Sequence, residues 1–103
     1  MKIPEQIAKQ IYIILEDIGA SSSMRESFIS TQSREDCHEW RFQGLLGFGG
    51  KFWNDDYQNE TETIVPAWWV NCYPEDETPK RLKIIKETNE KLQILANEIS
   101  KSS

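Results

Sequence analysis

The sequence predicts an α+β fold: an N-terminal helix, a three- to four-stranded antiparallel sheet and a long C-terminal helix packed on the sheet. Apolar residues recur at helical spacing near both ends of the chain, and the middle changes to the alternation that is typical of strands. Nine of the eleven aromatic residues fall between Trp40 and Tyr73. Aromatic side chains bury the most apolar area per residue, so this middle third is expected to form the core.

The first helix is predicted over about residues 4–18. Pro4 suits the first helical position, and Gly19 suits the left-handed residue that ends many helices. The apolar positions that define the buried stripe are Ile7, Ile11, Ile14, Leu15 and Ile18. At 103 residues, the chain has the length of one domain with one modest core.

The polar stretch at residues 20–36 is interpreted as a loop. It opens with Ala20 and three consecutive serines, and it has room for one strand around Phe28 and Ile29. A connection of this length without structure is uncommon in a compact domain, so we expect residues 27–32 to be ordered.

The sheet region is predicted over about residues 38–73. Trp40 and Phe42 share one face of a first strand, and Arg41 and Gln43 share the other. The glycine-rich stretch at residues 44–50 is interpreted as a bend or hairpin connection, because glycine tolerates positive φ. A second strand is expected to begin at residue 51.

The third strand, predicted over residues 64–73, carries aromatic residues on both faces. One face holds Trp68, Val70 and Cys72, and the other holds Trp69, Asn71 and Tyr73. If a helix covers the first face, Trp69 and Tyr73 need the other helix, a second subunit or a partner to cover them.

The second helix is predicted over about residues 79–99. Thr78 is expected to cap its N-terminus, and Pro79 suits its first position. Its main apolar stripe consists of Leu82, Ile85, Leu92, Ala96 and Ile99. Because Ile85, Leu92 and Ile99 recur every seven residues, the stripe also suits a helix–helix seam between subunits.

The net charge of −5 is concentrated in one segment. Residues 54–77 contain seven acids and no Lys or Arg, so they carry −7 while the rest of the chain carries +2. Nucleic acids are bound by clustered cations, so the segment argues against direct nucleic-acid binding and favours a basic protein partner. A pair of solvated acidic loops is the simpler explanation of the same charges.

The hydropathy pattern predicts a cytoplasmic protein without a membrane partner. No apolar run approaches the roughly 18 residues of a membrane span. The N-terminus reaches Glu5 without an apolar segment, so no signal peptide is predicted.

No motif in the sequence predicts catalysis, and we expect no cofactor and no metal. The glycines before Lys51 lack the spacing of a phosphate loop, and Phe52 stands where such a loop needs Ser or Thr. Cys37, His38 and Cys72 offer metal or nucleophile chemistry, but neighbouring residues on a strand point to opposite faces. This geometry disfavours a site that needs both Cys37 and His38. A small enzyme that depends on Cys72 or His38 stays an alternative.

The leading hypothesis is a non-enzymatic protein-binding module or inhibitor. Its acidic edge and aromatic anchors would meet a basic protein surface, with the aromatic side chains supplying affinity and the acids steering the encounter. The predicted partner-binding residues are Trp53, Asp55, Asp56, Trp69, Tyr73, Glu75, Asp76 and Glu77. A structural homo-oligomer, in which a second copy is the partner, is the other alternative.

Three segments of the chain resemble small uncharacterised proteins of phages and mobile elements. The segments are residues 40–44, 47–53 and 73–79, and the resemblance extends over roughly residues 40–90. It implies a context in which small acidic proteins bind and block larger host or viral proteins. It implies no catalytic residue.

Overall fold

The helices lie on one face of a three-stranded sheet. The computed structural model describes residues 3–32, 39–53 and 67–102. In chain order, these ranges contain α1 (Glu5–Asp17), α2 (Ser22–Gln32), β1 (Glu39–Gln43), β2 (Phe48–Trp53), β3 (Ala67–Cys72), a 3₁₀ helix (Pro74–Asp76) and α3 (Pro79–Ser102). The predicted α+β class is confirmed, with a pair of N-terminal helices instead of one.

The sheet is antiparallel, with β2 between β1 and β3. Phe52 lies at its centre, is fully buried, and pairs in register with Trp40 on one side and Trp68 on the other. The Phe52 ring stacks on Trp68 with the ring centres 5.8 Å apart, and it meets Phe28 of α2 edge-on at 5.1 Å. The aromatic middle of the sequence therefore forms the core between the sheet and the helices, as predicted.

The polar stretch that the sequence analysis interpreted as a loop is largely helix α2, so that interpretation is wrong. Ser21 caps the helix, since its Oγ accepts a hydrogen bond from the backbone N–H of Met24 at 3.2 Å. Phe28 fixes the helix against the sheet because its side chain is fully buried between α2 and the strands. The buried Phe28 ring, the cap, and the packing of Met24 and Ile29 against the core thus order a mostly polar segment.

Strand β2 begins at Phe48, earlier than the sequence predicted. The bend covers only residues 44–47, where the N–H of Gly44 donates to the Phe48 carbonyl at 2.6 Å and Gly47 has φ +87°. Gly50 belongs to the strand, since it pairs with Phe42 and leaves room for the Phe42 ring on the helical side. A Cβ at Gly50 would collide with that ring and lie 2.8 Å from the Trp69 carbonyl oxygen.

Helix α3 begins where the sequence predicted. The Thr78 Oγ1 accepts a hydrogen bond from the N–H of Arg81 at 3.1 Å, which confirms the predicted cap. The residues that α3 buries in the core are Leu92, Leu95, Ala96 and Ile99. Leu82, predicted to belong to the buried stripe, is 47% exposed. Within the described part of the chain, no helix has both the length and the apolar character needed to cross a membrane.

Asn89 joins α3 to the edge of the sheet. Its Oδ1 accepts a hydrogen bond from the Val70 N–H at 2.8 Å, and its Nδ2 donates to the Val70 carbonyl at 3.2 Å. The side-chain amide thus takes the hydrogen-bonding position that a neighbouring strand would occupy beside β3. This contact explains why a polar residue stands within the apolar stripe of α3. Exposed strand edges invite unwanted pairing, and this contact covers β3 at its middle.

We expect Asn89→Ala to lower the free energy of unfolding by about 1–3 kcal/mol, because both polar backbone groups of Val70 lose their partner. Urea unfolding followed by circular dichroism measures the change. Gln93→Ala is the matched control, since Gln93 is an exposed amide one turn further along α3 and should change stability by less than about 0.5 kcal/mol. Equal unfolding midpoints for the two variants would contradict the role given to Asn89.

Candidate functional site

The two faces of the sheet differ sharply in burial. The side chains of Phe42, Phe52 and Trp68 point to the helices and are buried. The opposite face, which we call the open face, carries side chains that are exposed or half-exposed in the described part of the chain. The described residues of the open face include Arg41, Gln43, Gly49, Lys51, Trp69, Asn71 and Tyr73.

The strand register arranges the open face in two rows. Arg41, Lys51 and Trp69 face one another across the three strands and form the first row. Gln43, Gly49 and Asn71 form the second row. Because Gly49 has no side chain, the surface of the sheet has a depression at the centre of the second row.

A groove of about 530 Å³ lies along the open face. Gly49 contributes to its floor, while Trp69 and Tyr73 contribute to its walls. A Cβ at Gly49 would lie 3.2 Å from the Phe42 carbonyl oxygen, a tighter approach than most side chains make. The groove therefore depends on a glycine at this position.

Trp69 and Tyr73 are the large apolar side chains of the open face. Trp69 is 36% exposed and Tyr73 is 56% exposed, whereas the adjacent Trp68 is only 4% exposed. The Lys51 ammonium lies 5.9 Å from the centre of the Trp69 ring, at the outer limit of a cation–π contact. Strand alternation alone separates the two neighbouring tryptophans into a core residue and a surface residue.

Three consecutive acids follow the open face at the end of β3. The 3₁₀ helix directly after Tyr73 holds Glu75 and Asp76, and Glu77 ends it, with its N–H donating to the Pro74 carbonyl at 3.2 Å. All three acidic side chains are exposed. The three acids therefore follow Tyr73 directly along the chain, although they do not line the groove.

The remaining predicted site residues cannot be placed in the same way. Asp55 and Asp56 lie outside the described residues. Trp53 ends β2 and pairs through its backbone with Ala67, but its side chain lies outside the description.

Sequence reasoning missed five polar or small residues that share the open face with the aromatic anchors. They are Arg41, Gln43, Gly49, Lys51 and Asn71. Alternation within each strand was visible in the sequence, but the register that places these residues on the same face as Trp69 was not. Gly49 was overlooked because the whole glycine run was interpreted as a bend. The open face consequently carries positive charge on β1 and β2 and negative charge beyond β3.

For the alternative of an enzyme that depends on Cys72, the structure adds no second catalytic group among the described residues. Cys72 is a half-buried free thiol that packs against the core. Cys37 and His38 lie outside the described residues. Within residues 3–32, 39–53 and 67–102, no three side chains of His, Cys, Asp or Glu come together as metal ligands.

Comparison of the chain with protein-family models, curated proteins and solved structures finds no match.

Replacement of each of the two adjacent tryptophans by alanine should lower the free energy of unfolding by unequal amounts. We expect Trp68→Ala to cost about 3–5 kcal/mol, because it opens a cavity beside Phe52. Trp69→Ala should cost about 1 kcal/mol or less, because its ring lies at the surface against Lys51. Thermal and urea unfolding of the two variants measure the difference, and a Trp69→Ala variant as unstable as Trp68→Ala would show that the open face is part of the core.

Proposed function

We propose that the chain is a non-enzymatic protein-binding module whose site is the open face together with Glu75, Asp76 and Glu77. The observation that carries this proposal is the exposure of Trp69 and Tyr73 on a concave sheet face, beside three consecutive acids. A surface of this kind supplies the two things that a specific protein interface needs: apolar anchors and a charge pattern.

The aromatic anchors would supply most of the affinity. Tryptophan and tyrosine are among the residues that dominate interface energies, because they bury a large area with few rotatable bonds. The backbone of both residues is already held by β3 and its continuation, so only the side chains need to be ordered when a partner binds.

The groove between the anchors suits a side chain and a short stretch of peptide. Its floor at Gly49 leaves space for an apolar side chain of the partner. The amide groups of Gln43 and Asn71 flank that floor in register, and each amide both donates and accepts hydrogen bonds. They are suited to the polar groups of a peptide backbone.

The acids define the class of partner. Three exposed carboxylates beside Tyr73 favour a partner with Lys or Arg next to its apolar anchor. Because exposed charges act mainly on the encounter rate and on orientation, binding should weaken as salt rises. If the partner's basic surface normally holds nucleic acid, the acids would compete for that surface, and the chain would act as an inhibitor.

Selection from a displayed library of random peptides tests the proposal. Peptides that bind the variant Trp69→Ala/Tyr73→Ala are removed first, and those that bind the unaltered chain are then recovered. We expect the recovered peptides to place Lys or Arg beside an apolar or aromatic residue. Titration calorimetry should show that the paired alanine variant binds them at least about thirtyfold more weakly, as expected for the loss of interface anchors.

Charge reversal tests the contribution of the acids to binding separately from that of the aromatic anchors. Glu75→Lys/Asp76→Lys/Glu77→Lys should weaken binding and reduce its dependence on salt. The matched control is Glu87→Lys/Glu90→Lys, which reverses two exposed acids on α3 and should leave the affinity unchanged. Peptides that bind every variant equally, or a preference of the chain for single-stranded oligonucleotides over basic peptides, would contradict the proposal.

A further inference from the structure

A second concave surface lies between α1 and α3. It is a groove of about 310 Å³ whose walls include Ile13 of α1 and Ile94 of α3. These two side chains are 59% and 60% exposed, although isoleucine is among the residues most often buried in proteins. Ile14 and Leu95 also line the groove and connect it to the core.

We infer that this groove is the contact between two copies of the chain, related by a two-fold axis that passes close to Ile94. The inference does not depend on the proposed function, because the groove and the open face share no described residue.

The charges beside the groove support a second copy as its occupant. Lys91 and Glu98 line it on either side of Ile94. At a helical rise of about 1.5 Å per residue, Lys91 lies about 4.5 Å before Ile94 along the axis, and Glu98 lies about 6 Å after it. A two-fold axis that is perpendicular to α3 at this point sets two copies of α3 antiparallel and places Lys91 of each copy opposite Glu98 of the other. The charges of the surface are therefore complementary to themselves.

The same charges argue against a lipid surface as the occupant. Helices that lie on a membrane combine an apolar face with flanking cations that meet anionic headgroups. Here one cation and one anion flank the apolar residues, so the groove has no net positive charge.

The dimensions of the helices indicate a weak dimer. Helix α1 has 13 residues and is about 20 Å long, and a pair of packed helices is about 20 Å wide. The footprint is therefore at most about 400 Å² per copy, half of the roughly 800 Å² that a standard stable interface buries on each partner. We expect the weak, reversible association that is typical of small interfaces.

This contact differs from the seam that the heptad spacing predicted. Leu92 and Ile99 are buried in the core, at 0% and 6% exposure, so they are not available to a second copy. The surface that α3 offers lies instead at Lys91, Ile94 and Glu98.

Sedimentation equilibrium of the whole chain tests the inference. We expect the average mass to rise from 12.0 kDa towards twice that value as the concentration passes through the micromolar range. Ile94→Glu should weaken association at least about tenfold, because it places a charge at the centre of the contact. Leu82→Glu is the matched control: it alters another exposed apolar residue of α3 outside the groove and should leave association unchanged.

A charge exchange tests the two-fold arrangement itself. Lys91→Glu and Glu98→Lys should each weaken the dimer by placing like charges opposite each other, and the double variant should restore it. Circular dichroism confirms that each variant is folded. A mass that stays at 12.0 kDa up to about 1 mM, an Ile94→Glu variant that associates normally, or a double variant weaker than both single variants would overturn the inference.

Discussion

The pairing of the Asn89 side chain with both backbone groups of Val70 fixes the position of α3 on the sheet. With this contact at the edge of β3, the apolar side of α3 at Leu92 and Ala96 lies within the core. Val70 and Trp68 then point to the helices, and alternation leaves Trp69 and Tyr73 on the other face. The open face is therefore a consequence of where the helix packs.

One-sided burial also explains the distribution of glycine. On the helical face, Gly50 makes room for Phe42, so the sheet can hold large rings close together around Phe52. On the open face, Gly49 leaves the floor of the groove low. Two adjacent glycines thus serve opposite faces of β2: one permits the core to pack, and the other permits a concave surface to form.

Strand alternation let the sequence predict that Trp68 and Trp69 lie on opposite faces of the sheet, but not which face is exposed. The cap at Thr78 let it predict the start of α3. Helix α2 was missed because its signals are an N-cap serine, Ser21, and a few apolar residues without a clear helical period. The groove residues were missed because a groove depends on the register between strands, which places Gly49 beside Asn71. Register depends on long-range pairing and is absent from local patterns.

The helices leave one face of the sheet accessible, so oxidative footprinting of the free chain should distinguish the residues of the two faces. The measurement is made at low micromolar concentration, with mass spectrometry reporting the oxidation rate of each aromatic residue. We expect rapid oxidation of Trp69 and Tyr73 and slow oxidation of Trp40 and Trp68, which are 7% and 4% exposed. Protection of Trp69 equal to that of Trp68 would contradict this expectation.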